Sequence, residues 1–402
     1  MNRAAVAGLA VLALLIGLGL GMVAATTSGP SATPPANAGL VAGIGSTPPS
    51  SVPLPSGSVA PSVAPSSESP SPSASPTPAP TPMLVPAPLT GRLVSPADAS
   101  RHPIAVMIDD LSPARPQSGF SAASIVWQAP AEGGIPRYML VFQENIPTAV
   151  GPVRSSRYYY IAWAAELRAV YAHAGGSPQA LATLRAKGSG QLVYNADEFR
   201  WGGSFHRITT RFSPHNLYTS GKALRGIATA QGAKDGKISW PWTFAPDLAG
   251  PLRPTGGRIQ VAYLANAIRY DYDRATNTYL RSVTGEKKQI DAATGQRVAP
   301  KNVVVMLMHF GPLNDGSHKH RLEAQVIGSG TAWIATNGTT IKGTWKKTAL
   351  TSPTRFFDAS GNAVVLTVGQ TFVQVMPVGT KVGLTAGKLP VPVSRSIAPI
   401  PN

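Results

Sequence analysis

The chain is 402 residues long, carries a formal net charge of +17 at pH 7 and has no cysteine. The missing thiols exclude disulfides, thiol catalysis, cysteine–zinc sites and lipid attachment at cysteine. Residues 1–90 carry only Arg3 and Glu68, which cancel, so the positive balance sits in 91–402 and calls for an anionic partner.

Arg3 precedes Ala4–Ala25, a run of 22 residues without a charge. A run of that length can cross a bilayer as a helix and exceeds the usual apolar core of a cleaved signal. Residues 1–25 are therefore expected to be a retained membrane anchor. Val23-Ala24-Ala25 keeps a cleaved signal segment as the alternative. In either case the positive N-terminus stays inside and the rest is exported. Residues 26–88 are dominated by Pro, Ser, Ala, Thr and Gly. They read as a disordered stalk that cannot bury enough apolar surface to offset chain entropy. At about 3 Å per residue its extended reach is on the order of 200 Å. An exported domain rarely meets nucleic acid. The expected partner is instead an anionic wall polymer or a lipid-linked phosphate.

Residues 89–240 read as an α/β domain. Ile104–Ile108 is a short apolar run ending at Asp109-Asp110, the pattern of a buried strand with acids at its carboxyl end. Ligands bind at such ends in open α/β sheets, which makes Asp109 a candidate ligand or metal-side acid; a turn-capping role is the alternative. A loop with Arg115 follows, then a strand over Ser124–Gln128. The Glu132-Gly133-Gly134 turn, in which Glu132 is a second candidate acid or metal-side residue, leads into an alternating strand over Arg137–Gln143. Gly151-Pro152 breaks that strand, and Arg154-Ser155-Ser156-Arg157 opens a helix. Ser155 or Ser156 is expected to cap it. Arg154 and Arg157 then flank a helix N-terminus that already favours an anion, forming a phosphate or carboxylate seat. The competing reading pairs these arginines with Glu132 or Glu144 for structural reasons. Ala169–His173 reads as a further strand, ending at Gly175-Gly176, where the backbone can approach a ligand closely. Ser177 can cap a helix reaching about Ala186. His206, His215 and Asn216 lie in a polar, aromatic loop before a helix near Gly221–Gln231 and are secondary candidates for acid–base or ligand work.

Ser239–Thr255, rich in Pro, Trp and Gly, reads as the connection to a mainly-β domain over 251–380, followed by a tail over 381–402. A hairpin is expected around Thr276-Asn277. Strands are expected at Val303–Met308, Glu323–Ile327, Thr331–Ala335, Ala363–Leu366 and Thr371–Met376, with turns at Asn337-Gly338 and Ser360-Gly361-Asn362. His309, His318 and His320 have no matching acid or fourth ligand at familiar metal spacing. The chain also lacks a P-loop and a His-Glu-x-x-His segment.

IAVMIDD (104–110), ARPQSGFSAASIV (114–126), EGGIPRYMLVFQ (132–143), VGPVRSSRYY (150–159), YAHAGGSPQAL (171–181) and PHNLYTS (214–220) resemble the first domain of the YerB-like bacterial envelope proteins. YDYDRATNTYLR (270–281), GTWKKTALTSPTRFFD (343–358) and GQTFVQVMP (369–377) resemble that family's second domain. The resemblance covers 87–380 and implies an envelope location without an established activity. Members of the family are often lipoproteins, so this cysteine-free chain would rely on Ala4–Ala25 instead. The order of strand–Asp, arginine loop, arginine segment and Tyr-x-x-Gly-Gly is also similar to LytR-CpsA-Psr proteins, which transfer glycopolymers from a polyprenyl pyrophosphate. That likeness implies Asp109 as a metal-side acid, with Mg²⁺ as the accompanying ion. It also implies Arg115, Arg154 and Arg157 on pyrophosphate and Tyr171–Gly176 as the glycine turn. Ser124 stands where both groups commonly place an aspartate, which counts against a metal site. The leading expectation is an anchored envelope module that binds an anionic ligand; a phosphotransferase and a non-catalytic scaffold are the alternatives.

Overall fold

The computed structural model describes residues 83–390. The expected anchor Ala4–Ala25, most of the expected stalk and the end of the tail lie outside the described residues. Among the described residues no helix is long and apolar enough to cross a membrane.

The chain opens with the hairpin β1 (Val85–Pro86) and β2 (Leu93–Val94), then helix α1 (Pro96–Ser100). Strands β3 (Ile104–Asp109), β4 (Ile125–Pro130) and β5 (Pro136–Phe142) follow. Helix α2 (Tyr158–Ala165), β6 (Val170–His173), α3 (Pro178–Leu184) and β7 (Tyr194–Asp197) come next. The small pair β8 (Phe205–Arg207) and β9 (Leu217–Thr219) precedes α4 (Gly221–Ala230) and β10 (Thr243–Ala245). The remainder is β: β11 (Arg258–Ala262), β12 (Ala267–Asp273), β13 (Thr278–Val283), β14 (Asn302–Met308), β15 (Phe310–Pro312) and β16 (Leu322–Ala324). It closes with β17 (Gly328–Thr336), β18 (Thr339–Lys347), β19 (Arg355–Phe357), β20 (Val365–Thr367), β21 (Thr371–Pro377) and β22 (Gly383–Thr385).

A ten-stranded mixed sheet in the order β19-β18-β17-β14-β21-β4-β5-β3-β6-β7 carries the architecture. The expected break between 240 and 251 is a break in chain order and not in this sheet. β21 runs parallel to β4, with Thr371 opposite Ile125 and Gln374 opposite Gln128, so strands from both stretches share one ladder. The expected α/β character of 89–240 is correspondingly diluted. β5 lies antiparallel to both β3 and β4, parallel pairing is confined there to β3–β6 and β6–β7, and the described chain is mainly β with few helices.

The middle of the sheet is covered on both faces, so β3, β4 and β5 are buried at every position and mostly apolar, with Asp109, Gln128 and Arg137 as the buried polar exceptions. The period of two still sorts their side chains. Ala105, Met107, Trp127, Met139 and Val141 join α2 and Trp345 on one face. Val106, Ile108, Val126, Tyr138 and Leu140 join α4 and the four-stranded sheet β13-β12-β11-β22 on the other. α2 (YYYIAWAA) is buried all round, and Trp163 stacks on Trp127 with ring centroids 4.8 Å apart.

A buried polar network ties the two stretches together. The Arg281 guanidinium, on β13, donates to Gln128 Oε1 at 2.6 Å and to the Tyr270 hydroxyl at 2.9 Å. Gln374 Nε2 donates to the same Gln128 oxygen at 2.7 Å, and Gln128 Nε2 donates to Asp110 Oδ2 at 2.6 Å. Burial pushes the Asp110 carboxyl upward, against the pull of Arg115 and Arg281.

Candidate functional site

The site grows from the carboxyl end of β3. The continuous apolar run Ile104–Ile108 suits an interior strand, between β5 and β6, and leaves Asp109 at its end, opposite Arg137 in the β3–β5 ladder. The segment after Gly151-Pro152 crosses that end, with Arg154 N–H donating to the Met107 carbonyl at 2.9 Å. It is held on the other side by the glycine turn: Ala174 N–H donates to the Arg154 carbonyl and Ser156 N–H to the Gly175 carbonyl. Gly175 adopts φ +67°, a left-handed conformation that favours glycine. A side chain at Gly176 would press on Leu181 and Ser156. In this structure the two glycines position the arginine segment.

Asp109 Oδ2 accepts from His215 Nδ1 at 2.7 Å and lies 3.0 Å from Arg154 Nε. The Arg154 Nε lacks hydrogen-bond geometry, so that contact is ionic. Asp109 Oδ1 accepts the Leu111 N–H at 3.1 Å. With the carboxylate on Nδ1, His215 keeps Nε2 free, and neither Nε2 nor the two terminal nitrogens of Arg154 has a hydrogen-bond partner among the described residues. Asp109 is buried while Arg154 and His215 are part-exposed, their side chains 20% and 16% accessible. Burial lowers the Arg154 guanidinium pKa, partly offset by Asp109, and Arg137 pushes it further down.

The other arginines are committed. Arg157 is buried against Glu132 and the Ser156 carbonyl, and burial draws its pKa down to about 10. Arg137 also meets Glu132, at 2.9 Å, and donates to the Ser155 carbonyl at 2.9 Å. Arg115 pairs with Asp110 at 3.0 Å and donates to the Thr284 carbonyl at 2.7 Å. Arg157 with Glu132 is therefore the structural pairing that the sequence left open, whereas Glu144 takes Arg92, Thr90 and Ser124 instead. The expected serine cap is not formed. Arg157 itself is the residue before α2, and its guanidinium has no acceptor to offer the first-turn N–H groups, while Ser156 Oγ lies 2.8 Å from the Tyr171 hydroxyl. Ser177 does cap α3, accepting from Ala180 N–H.

Of the secondary candidates, only His215 reaches the site. His206 is exposed on β8, and Asn216 is occupied by the Ile208 carbonyl and Arg207. Arg137, expected only as a strand residue, also belongs to the cluster; the signal for it is an arginine in an otherwise apolar buried strand, a charge that needs a partner. Summed, Arg137, Arg154 and Arg157 face Asp109 and Glu132, three cations against two anions and a formal +1. As for Mg²⁺, no group of three or more acids and histidines among the described residues could hold a metal ion. Asp110 and Glu132 serve arginines, and Asp197 Oδ1 accepts the Phe199 N–H. The side chains present do not form a second carboxylate ligand beside Asp109.

A mixed sheet shared by two sequence stretches, joined through Arg281, Gln128 and Asp110, defines a two-part family fold. Residues 89–234 match the family described as "Protein of unknown function (DUF3048) N-terminal domain" and residues 259–373 match its C-terminal domain, so the chain belongs to the DUF3048 family. It is 34% identical over 267 residues to "Putative lipoprotein YerB" of Bacillus subtilis (strain 168), covering 65% of this chain and 78% of that protein. The crystal structure of the B. subtilis YerB protein superimposes with a TM-score of 0.66 at 26% identity, covering 74% of this chain and 99% of that one. These relationships carry the YerB resemblance; the likeness to LytR-CpsA-Psr proteins rests on residue order alone.

Proposed function

We propose that this chain is an extracytoplasmic, membrane-held envelope protein that binds an anionic, phosphate-bearing wall or lipid-linked ligand at the corner of Arg154 and His215. The carrying observation is that both side chains meet one buried carboxylate oxygen while keeping free donors or acceptors outward. The formal +1 of the cluster is the charge an anion would neutralise. The name of the B. subtilis relative supports a membrane-held location. Without cysteine, attachment here would fall to Ala4–Ala25.

Two other readings have their own support. Commitment of Arg115 and Arg157 to internal pairs favours a scaffold. A glycopolymer transferase keeps the Asp109–His215 pair as an acid–base group but lacks a second acid for a metal. The test is calorimetric titration of the full chain in detergent micelles with pyrophosphate and with polyprenyl pyrophosphate, with and without Mg²⁺. Arg154→Gln is expected to weaken binding about tenfold or more, about 1.4 kcal/mol. Equal affinity in both proteins overturns the binding site and leaves the scaffold. Affinity gained only with Mg²⁺ favours the transferase.

A further inference from the structure

A cleft of about 1240 Å³ opens between the β1–β2 hairpin with α1 and the connector that follows α4. It lies by the start of β3, whereas Asp109 ends that strand, five residues or about 17 Å further along the sheet. The cleft is therefore separate from the Arg154 corner.

Its walls are Pro86, Leu93, Trp240, Trp242, Phe244 and Val368. Polar groups are few and mostly taken. Asp247 and Lys301 both line it but bind each other at 2.6 Å, and the Trp242 Nε1–H is spent on the Thr354 carbonyl at 2.8 Å. One charged group stands out as unanswered: Lys237, exposed on the rim, has no ion-pair partner among the described residues. Leu93, 64% exposed, extends the apolar wall to the surface.

These features discriminate between occupants. A glycan would bring hydroxyls along its whole length to walls that offer almost no partners, at a desolvation cost for each. A hydrocarbon chain needs none, and the unpaired cation at the rim complements an anionic head. We propose that this cleft holds the hydrocarbon chain of an anionic amphiphile, with its headgroup at Lys237. The chain lies along Leu93, Trp240 and Phe244. The binding is independent of the Arg154 corner.

The experiment is photo-crosslinking of the full chain, in micelles of a short-chain detergent, with a diazirine-bearing palmitate, followed by mass-spectrometric mapping. Crosslinks are expected within 83–100 and 237–247. Competition by unlabelled palmitate or by polyprenyl phosphate separates an acyl from an isoprenoid source. Leu93→Asp and Lys237→Glu alter exposed side chains, so the fold is retained, and each should reduce labelling about tenfold by placing an anion against the chain or the head. Labelling concentrated outside these two stretches, or undiminished in Leu93→Asp, overturns the proposal. Loss of labelling in Leu93→Asp with none in Lys237→Glu overturns the headgroup assignment.

Discussion

Glu166 and Lys347, 181 residues apart in sequence, meet at 2.8 Å with both side chains fully buried. The pair ties the end of α2 to the end of β18. Glu166 also accepts from Thr354 N–H at 3.1 Å and from Thr354 Oγ1 at 2.6 Å, so its remaining lone pairs are answered. Burial raises the Glu166 pKa and lowers that of Lys347, each opposed by the other partner.

Lys347→Met removes the only cation on Glu166 among the described residues and leaves a carboxylate in the core. The expected cost is about 3–5 kcal/mol, the usual consequence of orphaning one member of a buried pair. Urea unfolding measures it. A loss below about 1 kcal/mol would mean that the pair is not what fastens α2 to β18.

Arg281 presents a second such case with more partners. Arg281→Met would leave Gln128, Tyr270 and Gln289 short of a donor and Asp110 short of a nearby cation. A destabilisation of about 3 kcal/mol or more is expected, because several buried acceptors lose their donor at once. Fluorescence and far-UV circular dichroism should fall in one transition, since the network spans the sheet shared by both stretches. Two separated transitions would show that the stretches unfold independently.

What could be read from the sequence tracks how local each signal is. IAVMI announced β3 through its unbroken apolar run, and Asn337-Gly338 announced the β17–β18 turn, where both residues have positive φ. β18 (TTIKGTWKK) went unread because its outward threonines and lysines mask the alternation of buried Gly343, Trp345 and Lys347. The parallel pairing of β21 with β4 joins residues some 246 positions apart, for which no local pattern exists. The site divides in the same way. Asp109 and Arg154 lay near recognisable strand and turn boundaries, whereas the choice of His215 over His206 as the partner of Asp109 spans 106 residues of chain. The serine cap is absent because the helix starts one residue further on, after Arg157, and the Ser156 hydroxyl is taken by a tertiary partner, Tyr171.

The loop between β15 and β16 gives a pH prediction. Hydrogen bonds from Ser317 and Arg321 hold the Asp315 carboxyl down to about 2. Because its pKa is lowered on folding, its contribution to loop order is present above the ordinary aspartate range and is lost as pH falls toward 2. Carbon-13 NMR of the carboxyl should show no titration between pH 6 and 4. In Arg321→Gln the midpoint should rise. A midpoint in the ordinary aspartate range in the native chain would rule out the Asp315–Arg321 pairing in solution.

Removing the charge of Asp109 while keeping its shape tests the electrostatic logic of the corner. Asp109→Asn changes the formal charge of the cluster from +1 to +2, because one of its two carboxylates is lost. Pyrophosphate should then bind more tightly, by about tenfold at low ionic strength, with the gain shrinking as salt is raised. The same change should destabilise the fold by about 1–3 kcal/mol, since His215 loses a charged acceptor and Arg154 its ion-pair partner. Calorimetric titration at two salt concentrations, with thermal unfolding on the same samples, separates the effects. Weaker pyrophosphate binding in the variant would show that Asp109 matters chiefly by aiming Arg154, so orientation outweighs charge at this site.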